Sequence, residues 1–266
     1  MERDKNLYPT NNPWLVFLKK NQDAMLRLFC FHYGGGSASA FHNWAQYLPD
    51  YIELIAVQLP GREGRFIEPC LGSVEELVEK LVPSLTFVLD KPYVVFGHSL
   101  GAINSFEVLR SIQKLQLRLP ELYIPSGVKA PMFPYSAAPI SSLPEEEFVS
   151  SLKERYKSTI GNLLDTPEFR EVFIPQLRAD FNMIESYRYS NPDKVAFDFP
   201  IVALAGTEEH LITEQHLASW ADLTTQDFLA KRFSGGHFFV QSQESKVVNF
   251  IVSQINNIKE KIHIAA

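Results

Sequence analysis

At 266 residues, 45% hydrophobic and 21% charged, the chain fits one large α/β domain or one domain with an insertion, and its core needs no staples. Its net charge of -6 argues against a general nucleic-acid binder. No apolar run approaches a membrane span, and the opening Met1-Glu2-Arg3-Asp4-Lys5-Asn6 lacks an apolar signal region, so a cytoplasmic protein is expected.

Residues 1–24 are polar, with turn-prone Asn11-Asn12-Pro13-Trp14 inside, and read as an irregular lead-in. Leu26 to Phe31 reads as a buried strand, followed by the glycine loop His32-Tyr33-Gly34-Gly35-Gly36-Ser37. A helical run over about Ser39 to Tyr47 leads to a second strand, Glu53 to Gln58, and the loop Leu59-Pro60-Gly61-Arg62-Glu63. Ser73 caps a helix running to about Leu89, with Glu75 and Glu76 in its first turn, where the helix dipole favours them. Cys30, in a strand, and Cys70, in a loop, read as reduced thiols.

Tyr93-Val94-Val95-Phe96 is a strand that runs into Gly97-His98-Ser99-Leu100-Gly101, and Ala102 to Gln113 reads as a helix. This strand–turn–helix context is what a G-x-S-x-G nucleophile elbow requires. The turn strains the serine backbone so that its hydroxyl stands clear of the strand end. The flanking glycines avoid collisions with neighbouring strand and helix. Glu121 to Val128 is a further strand. Alternation of this kind predicts an α/β fold with a mostly parallel sheet.

Strands then pause. Residues 130–196 carry helical signals and loops, with a helix start at Leu143-Pro144-Glu145-Glu146-Glu147 and Phe148, Leu152 and Tyr156 on one face. Phe169, Val172, Phe173, Leu177, Phe181, Ile184 and Tyr187 follow at helical spacing. A helical insert after an elbow is where a lid would sit. The predicted organisation is therefore a core over 1–129 and 197–266 and a helical lid over 130–196. The alternation resumes with strands Phe199 to Ala205 and Phe228 to Phe233, separated by a short helix from about Thr213 to Trp220. A helix over about Gln243 to Lys259 closes the pattern, with Ile258 to Ala266 as a fraying end.

A serine hydroxyl needs a base within hydrogen-bond reach and an acid to orient that base. With the chain order serine, acid, histidine, the base lies after Ser99, which leaves His210, His216, His237 and His263. His237 follows the last strand in a Gly-Gly-His turn and is the predicted base. The acid should follow the preceding strand: Gly206-Thr207-Glu208-Glu209 points to Glu209, with Glu208 as its rival. The backbone N–H groups of Leu100 and Gly34 are the expected oxyanion donors. Phosphate cradling by Gly34-Gly35-Gly36 lacks the Lys-Ser/Thr ending of a P-loop.

At these residues the sequence resembles the type II thioesterases that accompany nonribosomal peptide and polyketide synthases. It is also similar to the medium-chain fatty acyl thioesterase of animal fatty acid synthesis. The resemblance spans nearly the whole chain. It includes Asn12-Pro13-Trp14-Leu15, Phe29 to Ser39, Gln58-Leu59-Pro60-Gly61-Arg62-Glu63 and Phe96 to Ala102. It continues through Leu177-Arg178-Ala179-Asp180-Phe181 and Gly235-Gly236-His237-Phe238-Phe239. It implies an α/β-hydrolase with a helical lid. The implied activity is hydrolysis of acyl, aminoacyl or peptidyl thioesters on the phosphopantetheine arm of a carrier protein, editing an assembly line such as one for antibiotic biosynthesis. It implies no cofactor of the enzyme's own; a monomer is expected. His32 at the pocket rim, with Tyr33 and Phe238, is expected to contact substrate, and Arg62, Arg65, Lys114 and Arg118 to meet an acidic carrier. The chain departs from the family in His32 for Pro, Gly34 for Ala, Leu100 for Met and Glu209 for Asp. A chain-releasing thioesterase or a general esterase would use the same residues. A noncatalytic binding protein is the reading from another class, opposed by the intact serine and histidine.

Overall fold

The computed structural model describes residues 12–135, 137–156, 164–191 and 196–264, with side chains described except for Tyr156 and residues 259–264. Among these, the strands are β1 (Leu15–Lys19), β2 (Leu26–Phe31), β3 (Ile52–Val57), β4 (Tyr93–His98), β5 (Leu122–Ser126), β6 (Ile201–Gly206) and β7 (Phe228–Phe233). They join in one sheet in the order β1-β3-β2-β4-β5-β6-β7. Every pairing is parallel except β1 with β3.

The central strands are apolar almost throughout because both faces are covered. Alternate residues divide between two cores. Phe29, Phe31, Val95, Tyr123 and Ala203 face one side, packed with residues of α1 (Val74–Leu85) and α2 (Leu100–Lys114). Leu28, Cys30, Val94, Phe96 and Leu204 face the other, against a 3-10 helix (Ala38–Gln46) and the C-terminal helix. Ser73 does cap α1, its side chain accepting the Glu76 N–H at 3.2 Å.

Between β5 and β6 lie α3 (Glu145–Tyr156) and α4 (Pro167–Ser186), with a third, separate cluster of Ile140, Phe148, Val149, Leu152, Leu164, Ile174, Leu177 and Phe181. The side chain of Tyr156, expected on the same face as Phe148, lies outside the described set. Glu185 ties α4 to the segment before α3, accepting the Ile140 N–H at 2.7 Å and the Ser141 hydroxyl at 2.5 Å. After β6 come α5 (Glu214–Ala218), then α6 (Phe239–Ser242) and α7 (Glu244–Ile264) following β7.

The lead-in needs correction. Residues 1–11 lie outside the described set, but Leu15–Lys19 is an edge strand, not irregular chain. Its residues after Leu15 are only half-buried, and its register slips between Phe17 and Lys19. A short, half-covered edge carries a weak pattern. The C-terminal end is also more regular than expected: α7 continues to Ile264, with residues 265–266 outside the described set. Among the described residues no helix is long and apolar enough to cross a membrane.

The consequence for function is topological. β2 continues to β3 on one side of the sheet and has β4 on its other side. The sheet's order reverses between β2 and β4, and the loops leaving their carboxyl ends diverge there. That crevice is where open α/β sheets place their ligands.

Candidate active site

Ser99 sits between β4 and α2 with φ 56° and ψ -120°, a conformation that an L-residue adopts only under constraint. The constraint is visible. Its N–H donates to the Ser126 carbonyl at the end of β5, 2.7 Å away. A Cβ on Gly97 would lie 2.4 Å from the Gly101 oxygen, and one on Gly101 would lie 2.3 Å from the Phe31 oxygen. Close packing of helix start, strand end and glycine loop therefore requires both glycines.

The predicted base and acid lie in the loops after β7 and β6. His237 Nε2 is 3.0 Å from Ser99 Oγ, and His237 Nδ1 is 2.6 Å from Glu209 Oε1. The second Glu209 oxygen accepts the Gly206 N–H at 2.7 Å, so the carboxylate is held at both ends. Its side chain is 5% exposed and that of His237 is 19% exposed. The carboxylate accepts at Nδ1, so that nitrogen carries the proton and Nε2 is free to accept from the serine. Glu208 is exposed, and its N–H donates to the Gly235 carbonyl. The other histidines are elsewhere: His210 is exposed, His216 caps α5, and the His263 side chain lies outside the described set.

The expected oxyanion donors lie on adjoining loops. Leu100 opens α2, so its N–H is one that a helix leaves unpaired. Gly34 is in the loop after β2, and the backbone at Phe31 and His32, where that loop begins, presses against Gly101 of α2. Among the described residues neither N–H has an acceptor. Phe238 stands edge-on to the His237 ring, centroids 5.1 Å apart, and Tyr33 packs against Phe238 at 5.2 Å. The Tyr33 hydroxyl accepts from Gln241 Nε2 at 2.5 Å.

Two expectations fail. His32 is not at the rim: it is 2% exposed, beside Val57, Leu59 and Asn104, with Nδ1 donating to the Tyr33 carbonyl at 2.9 Å. Burial, with the Arg62 charge added, lowers its pKa to about 4. A ring with so little exposed surface does not line the rim. The basic surface fails too. Arg62 and Arg65 are 2% and 7% exposed, each engaged by carboxylates. Lys114 and Arg118 are exposed, but they lie at the far end of α2 and just beyond it. Fifteen helical residues span about 22 Å, which carries them to the amino-terminal ends of β4 and β5, away from Ser99.

The sequence gives little sign of one further ring at the site. His98, inside the elbow, is 0% exposed, with Nδ1 2.9 Å from Ser126 Oγ. Burial pushes its pKa well below the ordinary imidazole value, so it stays neutral beside His237. The only signal for it was its place next to the serine.

The arrangement can take a proton from Ser99, pass it to a leaving group and hold a negative oxygen. Among the described residues no group of three or more His, Cys, Asp or Glu side chains could hold a metal ion. A family profile described as thioesterase domain matches residues 26–255. The chain is 35% identical over 245 residues to the gramicidin S biosynthesis protein GrsT of Aneurinibacillus migulanus, covering 92% of this chain and 94% of that protein. It is 32% identical over 252 residues to thioesterase PikA5 of Streptomyces venezuelae, covering 93% and 87%. The structure matches that of YbtT, a type II thioesterase from the yersiniabactin NRPS/PKS biosynthetic pathway, with a TM-score of 0.80 at 27% identity, covering 92% and 99%. The chain therefore belongs to the thioesterase family, as an α/β-hydrolase-fold enzyme related to the type II thioesterases.

Proposed function

We propose that the enzyme hydrolyses acyl, aminoacyl or peptidyl groups from the phosphopantetheine arm of carrier proteins, clearing a nonribosomal peptide or polyketide assembly line in the cytoplasm. The observation that carries the chemistry is the unbroken Glu209–His237–Ser99 chain, with bonds of 2.6 and 3.0 Å. The carrier-bound substrate is supported by whole-length similarity to proteins named for such pathways.

Ser99 Oγ attacks the thioester carbonyl while His237 Nε2 takes its proton. Glu209 orients the ring and offsets the charge that forms on it. The Leu100 and Gly34 N–H groups receive the developing oxyanion. The departing thiol, with a pKa near ~8.5, asks little of the acid. His237 returns the proton to sulfur, then activates water to clear the acyl-serine. The insertion over 130–196, whose helix α4 meets the glycine loop through Asp180 and Leu177, serves as the lid. Phe238, packed on the histidine, and Tyr33 behind it contact the acyl group.

The test compares one acyl group on a carrier protein, on free coenzyme A and as a simple ester. A kcat/KM preference for the carrier of tenfold or more is expected, and equal rates on all three would leave a general esterase. Restricted turnover of only the finished product chain would instead indicate chain release.

A further inference from the structure

We propose that Arg62 and Asp180 are positioning residues that hold the oxyanion loop, so that the insertion helix α4 completes the active site. The proposal rests on reading Ser99 as nucleophile and the Gly34 N–H as oxyanion donor. The two side chains are 3% and 2% exposed. Asp180 Oδ2 accepts from Arg62 Nη1 at 2.8 Å, and Oδ1 accepts from Nη2 at 2.9 Å. Arg62 Nε donates to the Pro60 carbonyl in its own loop at 3.4 Å, and two further bonds of the pair go to the glycine loop. The Gly35 N–H donates to Asp180 Oδ2 at 2.7 Å, and Arg62 Nη1 donates to the Gly36 carbonyl at 3.0 Å. The loop backbone is also pressed onto α4. A Cβ on Gly34 would lie 3.7 Å from Asp180 Cβ, and one on Gly35, at φ +75°, would lie 2.5 Å from Leu177 Cδ2.

Desolvation offsets much of what a buried ion pair gains, so net stability is a weak reason for this one. Geometry is a better one. Three consecutive glycines are the least constrained backbone a chain can offer. An oxyanion donor must instead stay within tenths of an ångström of its position, since a displacement of about 1 Å can cost ~100-fold in rate. The ion pair grips the loop at a donor and an acceptor directly after Gly34. It also unites three segments: the loops after β2 and β3, and a helix of the insertion. Lifting α4 would strand the Arg62 guanidinium and release the Gly35 N–H together. The donor is then in place only while the helix is docked.

The decisive variant is Arg62→Met with Asp180→Leu, which removes both charges at similar volume and is expected to fold. Thermal unfolding, kcat and KM on p-nitrophenyl butyrate, and inhibition by phenylboronic acid are measured. The boronic acid forms a tetrahedral adduct on the serine and so reports the oxyanion hole. The expected result is a folded protein with KM within about threefold and with kcat and boronate affinity both down roughly 30- to 1000-fold. Asp180→Asn, whose amide oxygen can still accept from Gly35, should fall between. A folded double variant with wild-type kcat, or with lowered kcat and undiminished boronate affinity, overturns the proposal. If the double variant does not fold, the same kcat and boronate readings on Asp180→Asn decide it. A wild-type protein that cleaves neither ester nor thioester would instead sink the serine-hydrolase reading itself.

Discussion

The His98 ring lies 5.0 Å from the His237 ring, inclined by 38°, with no exposed surface. A second cation there would repel a charged His237 by about 3 kcal/mol at an effective dielectric of 20. Burial keeps His98 neutral, and the same holds for His32. This has a consequence for acid stability. Both pKa values are depressed on folding, so the unfolded chain binds protons that the folded chain does not. Stability is full above about pH 6.5 and is lost as pH falls toward 4, by roughly 3 kcal/mol for His32 alone. Urea unfolding at pH 7.5 and 4.5 checks this, and His32→Asn should flatten the dependence. Equal slopes for that variant and the wild type would refute the assignment to His32.

Ser99→Ala should lower thioester hydrolysis at least ~1000-fold while leaving the unfolding midpoint nearly unchanged. Residual turnover near the wild-type rate would mean that another nucleophile does the work.

Glu209→Ala should reduce kcat by about 10⁴-fold, because the His237 ring loses the acceptor that sets its tautomer. Glu208→Ala should stay within threefold. The opposite ranking in steady-state assays would contradict the geometry at the end of β6.

Gly101→Ala forces a methyl group to within 2.3 Å of the Phe31 oxygen. Overpacking of this kind costs about 1–3 kcal/mol and pushes α2 away from β2. Calorimetry should show the loss, with a disproportionate fall in kcat as the elbow shifts. A variant as stable and active as wild type would show that the helix start has slack.

Lys114→Glu and Arg118→Glu reverse exposed charges at the far end of α2. Both should leave kcat/KM on a loaded carrier protein within about twofold, since a surface charge so distant is screened. A tenfold loss would relocate the docking face to the amino-terminal end of the sheet.

The local features of this protein were readable from the sequence. Parallel strands buried on both faces announce themselves as apolar runs, and a strand–glycine–serine–glycine–helix run contains its own geometry. The placement of His237 and Glu209 beside Ser99 is legible because each follows a strand whose carboxyl end the topology brings there. The partnership of Arg62 with Asp180 was not readable, because it joins residues 118 positions apart. A charged residue reads as surface by default, so the sequence gives no sign that Arg62 and Arg65 are buried and paired. His32 is a like case, since a loop histidine gives no sign that the loop folds over it. The edge strand β1 escaped notice because half-buried residues do not carry a core pattern.

The cluster of Ile140, Phe148, Val149, Leu152, Leu164, Ile174, Leu177 and Phe181 is distinct from the two cores that flank the sheet. A small nucleus of its own lets this part of the chain open at a lower free energy than global unfolding. Amide deuterium uptake should accordingly run faster in α3 than in β4, and an acyl-serine adduct that pins the segment down should slow it.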